Sequence, residues 1–191
     1  MAHIPASERR KQLIEAASKV ISAKGVSGAT TRAIASEANA ALASLHYVFS
    51  NKEDIFIELL RWSVTFDADD LGTSVVPAQS GLEAAAKQLI MHWRAVDRPL
   101  IFAQFELLLW SMRTEVIEDE AASLYVKLVE QVAGYLRTAA TSDEMNADFN
   151  KLAKRLLVVV DGIQFGSLCA GSSYIDDQEA MLMTEAVIRS R

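Results

Sequence analysis

Residues 30–54 read TTRAIASEANAALASLHYVFSNKED. From Ala38 to Phe49 there is no Asp, Glu, Lys or Arg, although charge flanks the segment on both sides. Thr30 is placed to cap a short helix over about residues 31–38, with Ile34 and Ala35 turned inward. Asn39 tolerates the left-handed backbone that a tight turn needs. A further short helix follows over about residues 41–48, and Ser50-Asn51 breaks it. Two helices with about three residues between them have the geometry of a helix-turn-helix.

Outward from this segment the pattern stays helical. Upstream, Ser7 can cap a helix to about Lys24 whose Leu13, Ile14, Ala17, Val20 and Ile21 share one face; Gly25 ends it and Ser27-Gly28 turns. Downstream, a helix begins near Lys52 with Glu53 and Asp54 in its first turn and Ile55, Phe56, Leu59 and Leu60 as its buried stripe. Long helices are then expected over residues 81–97, 99–114, 116–140, 147–170 and 176–189, with Pro99 suited to a helix start. The clearest break lies between Thr73 and Ser80, around Pro77. No strand alternation persists and no repeat is visible, so the fold class is all-α.

Composition agrees. Only 3 Pro and 8 Gly stand in 191 residues, and 51 % are hydrophobic, enough for a packed core. The single cysteine, Cys169, excludes an intramolecular disulfide framework and fits a reducing compartment. MAHIPASERRKQ lacks the apolar stretch of a secretion signal, and no segment offers the roughly 18 apolar residues that span a bilayer. A soluble, cytoplasmic protein without membrane partners is expected. The net charge of −6 alone speaks against nucleic acid, but its distribution does not. Up to Trp62 there are eight basic and six acidic residues; the acidic excess lies in the rest.

The segment resembles the DNA-binding domain of TetR-family transcriptional regulators. That family typically shows a helix followed by Gly, then T-x-R-x-I-A, then A-G-V-S-x-G-x-L-Y-x-Y/H-F, then S-K-E. Gly25, Thr30, Arg32, Ile34, Ala35, Ala38, Leu45, Tyr47, Phe49, Asn51, Lys52 and Glu53 are the matching residues. The sequence departs at Asn39 for the turn Gly, Ala40 for Val, Ala41 for Ser, Ala43 for Gly and His46 for the first Tyr. The resemblance implies an N-terminal three-helix helix-turn-helix domain over residues 1–51 and a larger helical effector-binding and dimerisation domain over residues 52–191. It also implies that Ile34, Leu45, Phe49, Ile55 and Leu59 hold the small domain together, while Leu42, Ala43, Ser44, His46 and Tyr47 face the major groove. A neutral helix of short side chains can approach base edges closely: Ala and Leu touch thymine methyls, and Ser, His and Tyr form hydrogen bonds. Phosphate anchors must then lie outside it, at Arg32, Lys52, the Thr30 hydroxyl, backbone amides at helix starts and the Arg9-Arg10-Lys11 cluster.

The most apolar and aromatic stretch is WRAVDRPLIFAQFELLLWSMR, residues 93–113. Phe102, Phe105, Leu109 and Met112 share a helical face there, with Gln104 and Glu106 as odd polar residues. By resemblance, a small-molecule effector binds in the body. Candidate contacts are Trp62, Phe66, Trp93, Phe102, Phe105, Glu106, Trp110, Arg113 and Tyr125; the alternative is ordinary core, with Glu106 paired to Arg113 or Arg94. In residues 147–170, Gly162, Gly166 and Ala170 recur four apart beside Val158 and Phe165, a strip along which another helix can approach closely. The family's last two long helices build a dimer interface, which here would use Val158, Gly162, Phe165, Gly166, Cys169, Ala170, Met181 and Ala186. A tight contact within one chain is the alternative.

Catalysis is not expected. There are three histidines, and no G-x-S-x-G, H-E-x-x-H or phosphate-loop pattern. Neither a cofactor nor a metal is called for. The reading is a ligand-responsive regulator, a repressor released from a pseudo-palindromic DNA operator by an effector and acting as a homodimer. The changes at Ala41 and His46 leave open a helical scaffold of the same fold that does not read DNA.

Overall fold

Leu13, Ile14, Ala17, Val20 and Ile21, spaced three and four apart, are all buried along the first helix, as their periodicity requires. The computed structural model describes residues 5–65, 71, 77–114 and 118–190, with the side chains of 118 and 119 outside the description. Among them are nine helices: α1 (Ala6–Gly28), α2 (Thr31–Glu37), α3 (Leu42–Val48), α4 (Lys52–Val64), α5 (Gly81–Arg94), α6 (Arg98–Ser111), α7 (Glu118–Ala139), α8 (Phe149–Ala170) and α9 (Asp177–Arg189). No strand occurs among the described residues.

Helix ends fall within a few residues of expectation, and each difference has a local cause. Pro5 rather than Ser7 precedes α1, its carbonyl accepting from the Arg9 amide at 2.9 Å. Asp97 does not close α5; its side chain turns outward to accept from the Leu100 amide at 3.2 Å and so starts α6. Asp148 likewise caps α8 through the Lys151 amide at 3.0 Å, which moves that start to Phe149. The expected break around Pro77 holds for residues 77–80; residues 73–76 and the expected helix start at Val116 lie outside the described residues.

The chain forms two compact units. The first comprises Met1–Thr65 and Asp97–Leu124, the second Phe66–Val96 and Tyr125–Arg191. In the first unit α1 is the spine: α2, α3, α4 and α6 all pack on it, and α6 does so most extensively. Ile34, Leu45, Ile55, Phe56 and Leu59 close its core. In the second unit α5 packs on α8 and α9, and Ile90, Val160, Ile163 and Ala180 form a buried cluster.

Two buried charges organise the second unit. Lys87 is 6 % exposed, and its ammonium meets Glu83 at 2.6 Å, Glu185 at 2.7 Å and the Pro77 carbonyl at 3.1 Å, tying α5 to α9. Glu144 is 2 % exposed. Its Oε2 accepts from the Leu82 amide at 3.2 Å and from the Thr141 amide and hydroxyl at 3.1 and 2.9 Å. Burial pushes its carboxyl up, but these donors and Ser80 outweigh that and hold it at about 2.

A carboxylate held below its ordinary range adds stability above that range and loses it as pH falls through the depressed value. We therefore expect the thermal midpoint to fall as pH drops from about 4.5 toward about 2. Glu144→Gln should remove this slope and cost roughly 1.5–3 kcal/mol at neutral pH, measured by denaturant unfolding.

Candidate nucleic-acid interface

Thr30 starts α2, its hydroxyl oxygen accepting from the Ala33 amide at 3.1 Å. After Glu37 the chain turns through Asn39, whose φ of 49° is the only positive value at a non-glycine among the described residues. The Ala40 amide bonds back to the Ala35 carbonyl at 2.8 Å and closes the turn. Asn takes this conformation at lower cost than most side chains, which accounts for its place where a glycine would otherwise serve. Ala41 precedes α3 and offers no side-chain cap.

Helix α3 is anchored on one side only. Leu45 is wholly buried and Phe49, just past the helix, is 3 % exposed. Ala43 and His46 stand in solvent, Leu42 and Ser44 are half-covered, and Tyr47 is 85 % exposed, the highest value for a large hydrophobic residue among the described residues. Of the five residues expected to face a groove, three are thus uncovered and two partly so. Arg32 is exposed on α2. Lys52 lies 5.9 Å from the Phe56 ring centre and 3.9 Å from Glu53 at the start of α4. Asn51 caps that helix through the Asp54 amide at 2.8 Å, and Asp54 accepts from the Ser50 amide at 3.2 Å.

The Arg9-Arg10-Lys11 cluster is partly engaged within its own unit. The Arg10 guanidinium sits 4.7 Å from the Phe49 ring centre and donates to Glu58 on α4, while Arg9 donates to Gln12 at 3.0 Å. Arg10 therefore binds α1 to the end of α3 and to α4, neutralised by Glu58. Lys11 alone of the three shows no such engagement and is exposed.

The effector candidates are divided between the two units. In the first, Trp62 is 43 % and Phe102 37 % exposed, Phe105 is half-buried, Arg113 is exposed, and Trp110 packs edge-on against Phe56 with centroids 5.4 Å apart. Glu106 pairs with neither Arg94 nor Arg113; its Oε1 accepts from the Val26 amide at 2.7 Å. Arg94 instead engages Asp177 at 2.8 Å and the Ile175 carbonyl at 2.9 Å. In the second unit, Trp93 accepts from Gln164 through its carbonyl at 3.1 Å. Ile90, Trp93, Arg94, Val160, Ile163 and Gln164 line a shallow, open crevice with no enclosed room for a small molecule. Tyr125 donates to Asp161 at 2.7 Å. Burial and the neighbouring carboxylate push the Tyr125 hydroxyl up, and burial pushes Asp161 up although the Tyr125 bond pulls it back. Phe66 lies outside the described residues.

The profile of the bacterial regulatory proteins of the tetR family matches residues 13–59. The HTH-type nicotine-responsive transcriptional repressor HdnoR of Paenarthrobacter nicotinovorans is 32 % identical over 162 residues, 81 % of each chain. This chain belongs to the TetR family. It is a DNA-binding transcriptional regulator of that family. Among solved structures, a TetR-family member from Streptomyces coelicolor A3 is 26 % identical with a TM-score of 0.69, covering 94 % of this chain and 98 % of that one. The multidrug binding protein EbrR complexed with ethidium is 27 % identical with a TM-score of 0.63, covering 94 % and 98 %.

The candidate dimer residues of this TetR-family chain separate into two groups. Val158, Gly162, Phe165, Cys169, Ala170 and Ala186 are exposed. Gly166 instead lies under the Tyr174 ring, where an added Cβ would meet ring atoms at 2.5 Å, and Met181 packs on the buried cluster of its own subunit. Sequence reasoning missed Asp161 and the role of Arg10, whose partners are distant in the chain, and Glu144, which joins nearby Thr141 to distant Leu82. Glu83 with Lys87 and Glu185 with Arg189, each four apart on one helix, carried a readable signal.

Tyr47→Ala should abolish operator binding in a gel-shift assay while changing stability by less than about 0.5 kcal/mol. Arg10→Ala should weaken binding and also cost about 0.5–1 kcal/mol of stability, because it loosens the seat of α3.

Proposed function

We propose that this protein is a homodimeric repressor that leaves a pseudo-palindromic operator when a small aromatic base binds its body. The uncovered face of α3, with Tyr47 85 % exposed above a buried Leu45, carries the DNA half of this reading. Leu42, Ala43, Ser44, His46 and Tyr47 read base edges, and Thr30, Arg32 and Lys52 contact phosphates. This division places the DNA-reading domain at residues 1–51 and effector response and pairing in residues 52–191. Repression needs only that bound protein obstruct polymerase, with no surface to recruit it.

Two copies are required to read two half-sites. Val158, Phe165 and Leu182 are 68, 54 and 57 % exposed on α8 and α9, and Gly162 between the first two permits close helix approach. Burying that face against a second copy removes it from water.

The effector class rests on two supports. HdnoR is named as nicotine-responsive, and EbrR has been solved with ethidium, a planar aromatic cation. Within this chain, the Asp161 carboxylate is half-buried with Tyr125 as its neutral donor, and no cation lies within ion-pair distance of it among the described residues. A carboxylate withdrawn from water without countercharge favours a bound cation. Release then follows from differential affinity: driving the operator-bound state from 99:1 to 1:99 requires about 10⁴-fold tighter effector binding to the free form.

Fragments of genomic DNA captured by the protein should share a two-fold symmetric sequence, and nicotine or ethidium should release it in a gel-shift titration. Release by neutral aromatics of the same size and not by cations would refute the effector class. Phe165→Glu should give a monomer by light scattering and lose operator affinity; a dimer that still binds DNA would refute the pairing face.

A further inference from the structure

We propose that Glu106 is a positioning residue for DNA recognition, its carboxylate fixing from α6 the joint at Gly25-Val26 through which α1 launches the helix-turn-helix. Gly25 has φ 72° and ψ 169°, a left-handed break inside α1 that turns the following amide out of the helical ladder. An amide so displaced in a partly buried setting needs another acceptor. Glu106, 80 residues downstream, supplies it at 2.7 Å. A carboxylate accepting from an amide forms a charge-assisted bond, stronger than the neutral bonds of the ladder.

Other contacts at the joint are apolar burial and short backbone bonds. Val26 and Ala29 are buried, the Thr30 amide reaches back to the Gly28 carbonyl at 3.0 Å, and Thr30 is already the cap of α2. The turn from α1 into α2 falls within a few residues of Val26, so this bond acts where the helix-turn-helix departs from α1, alongside the direct packing of α2 and α3 on that helix. A binding constellation must be held within about 0.5 Å of its productive geometry, so a joint free to swing misplaces the reading face without unfolding it. The same contact explains why residue 25 has no side chain: a Cβ there would come within 2.9 Å of the Glu106 oxygen, on a backbone that other residues rarely adopt. It also gives α6 a role in the first compact unit, with which it clusters although it lies far along the chain.

The test uses the full-length chain with Glu106→Ala and Glu106→Gln. Glu106→Ala should weaken operator binding about tenfold or more, with unchanged dimer mass and a cooperative melt well above assay temperature. The salt dependence of binding should keep its slope, because no phosphate contact has been removed. Amide exchange over residues 26–30 should quicken. Glu106→Gln, whose amide oxygen can accept the same hydrogen, should restore both affinity and slow exchange. Gly25→Ala should reproduce the Glu106→Ala loss. Parental affinity in Glu106→Ala overturns the proposal, as does a Glu106→Gln variant as weak as the alanine variant. Unchanged exchange over residues 26–30 overturns it whatever happens to DNA binding, so its failure is distinct from failure of the operator reading.

Discussion

A reading helix has to be stiff while half of it touches nothing. Helix α3 has 7 residues, far fewer than the roughly 12–15 that an isolated helix needs to be even marginal in water. Its order is borrowed from burial of Leu45 and Phe49 and from the Arg10 guanidinium that covers the Phe49 ring. Everything that would let the protein meet DNA follows from that one-sided anchoring. The inner face can be as apolar as packing demands, and the outer face is free to carry Ala43, His46 and Tyr47, which contribute almost nothing to stability.

The same economy governs charge. An acidic chain approaching a polyanion cannot leave carboxylates near the reading helix, and the segment from Ala38 to Phe49 has none. Several acids of the first unit are engaged within it. Glu58 neutralises Arg10, Glu120 pairs with Arg61 at 2.8 Å, Asp54 closes a helix start, and Glu106 accepts from a displaced backbone amide. In the second unit Glu83 and Glu185 share the buried Lys87, and Glu144 is surrounded by donors. Asp161 stands apart with a neutral phenol as its donor, which is why the effector reading centres on it rather than on the other acids.

The two readings of the body differ in how the fold supports them. The proposed pairing face is a surface property: apolar side chains on α8 and α9 that the chain itself leaves exposed, with Gly166 and Met181 turned to internal packing instead. The effector reading is a property of polar placement, because the crevice beside Trp93 is too shallow to hold a drug-sized molecule.

The sequence alone determined the helices, the turn and the face of α3. These depend on spacing, capping and the intrinsic tolerance of Asn39, all of which act within a few residues along the chain. It determined the family as well, since a run of matching residues in one short segment needs no tertiary knowledge. What the sequence could not determine is the partner of each polar side chain. Arg10 read as one of three basic residues and Glu106 as an oddity in an aromatic helix. Only the fold brings Glu58 and Phe49 to the first and the Val26 amide to the second, across 48, 39 and 80 residues of chain. Local preference is written in neighbours, whereas the burial and charge pairing that decide a side chain's role arise only when distant helices meet.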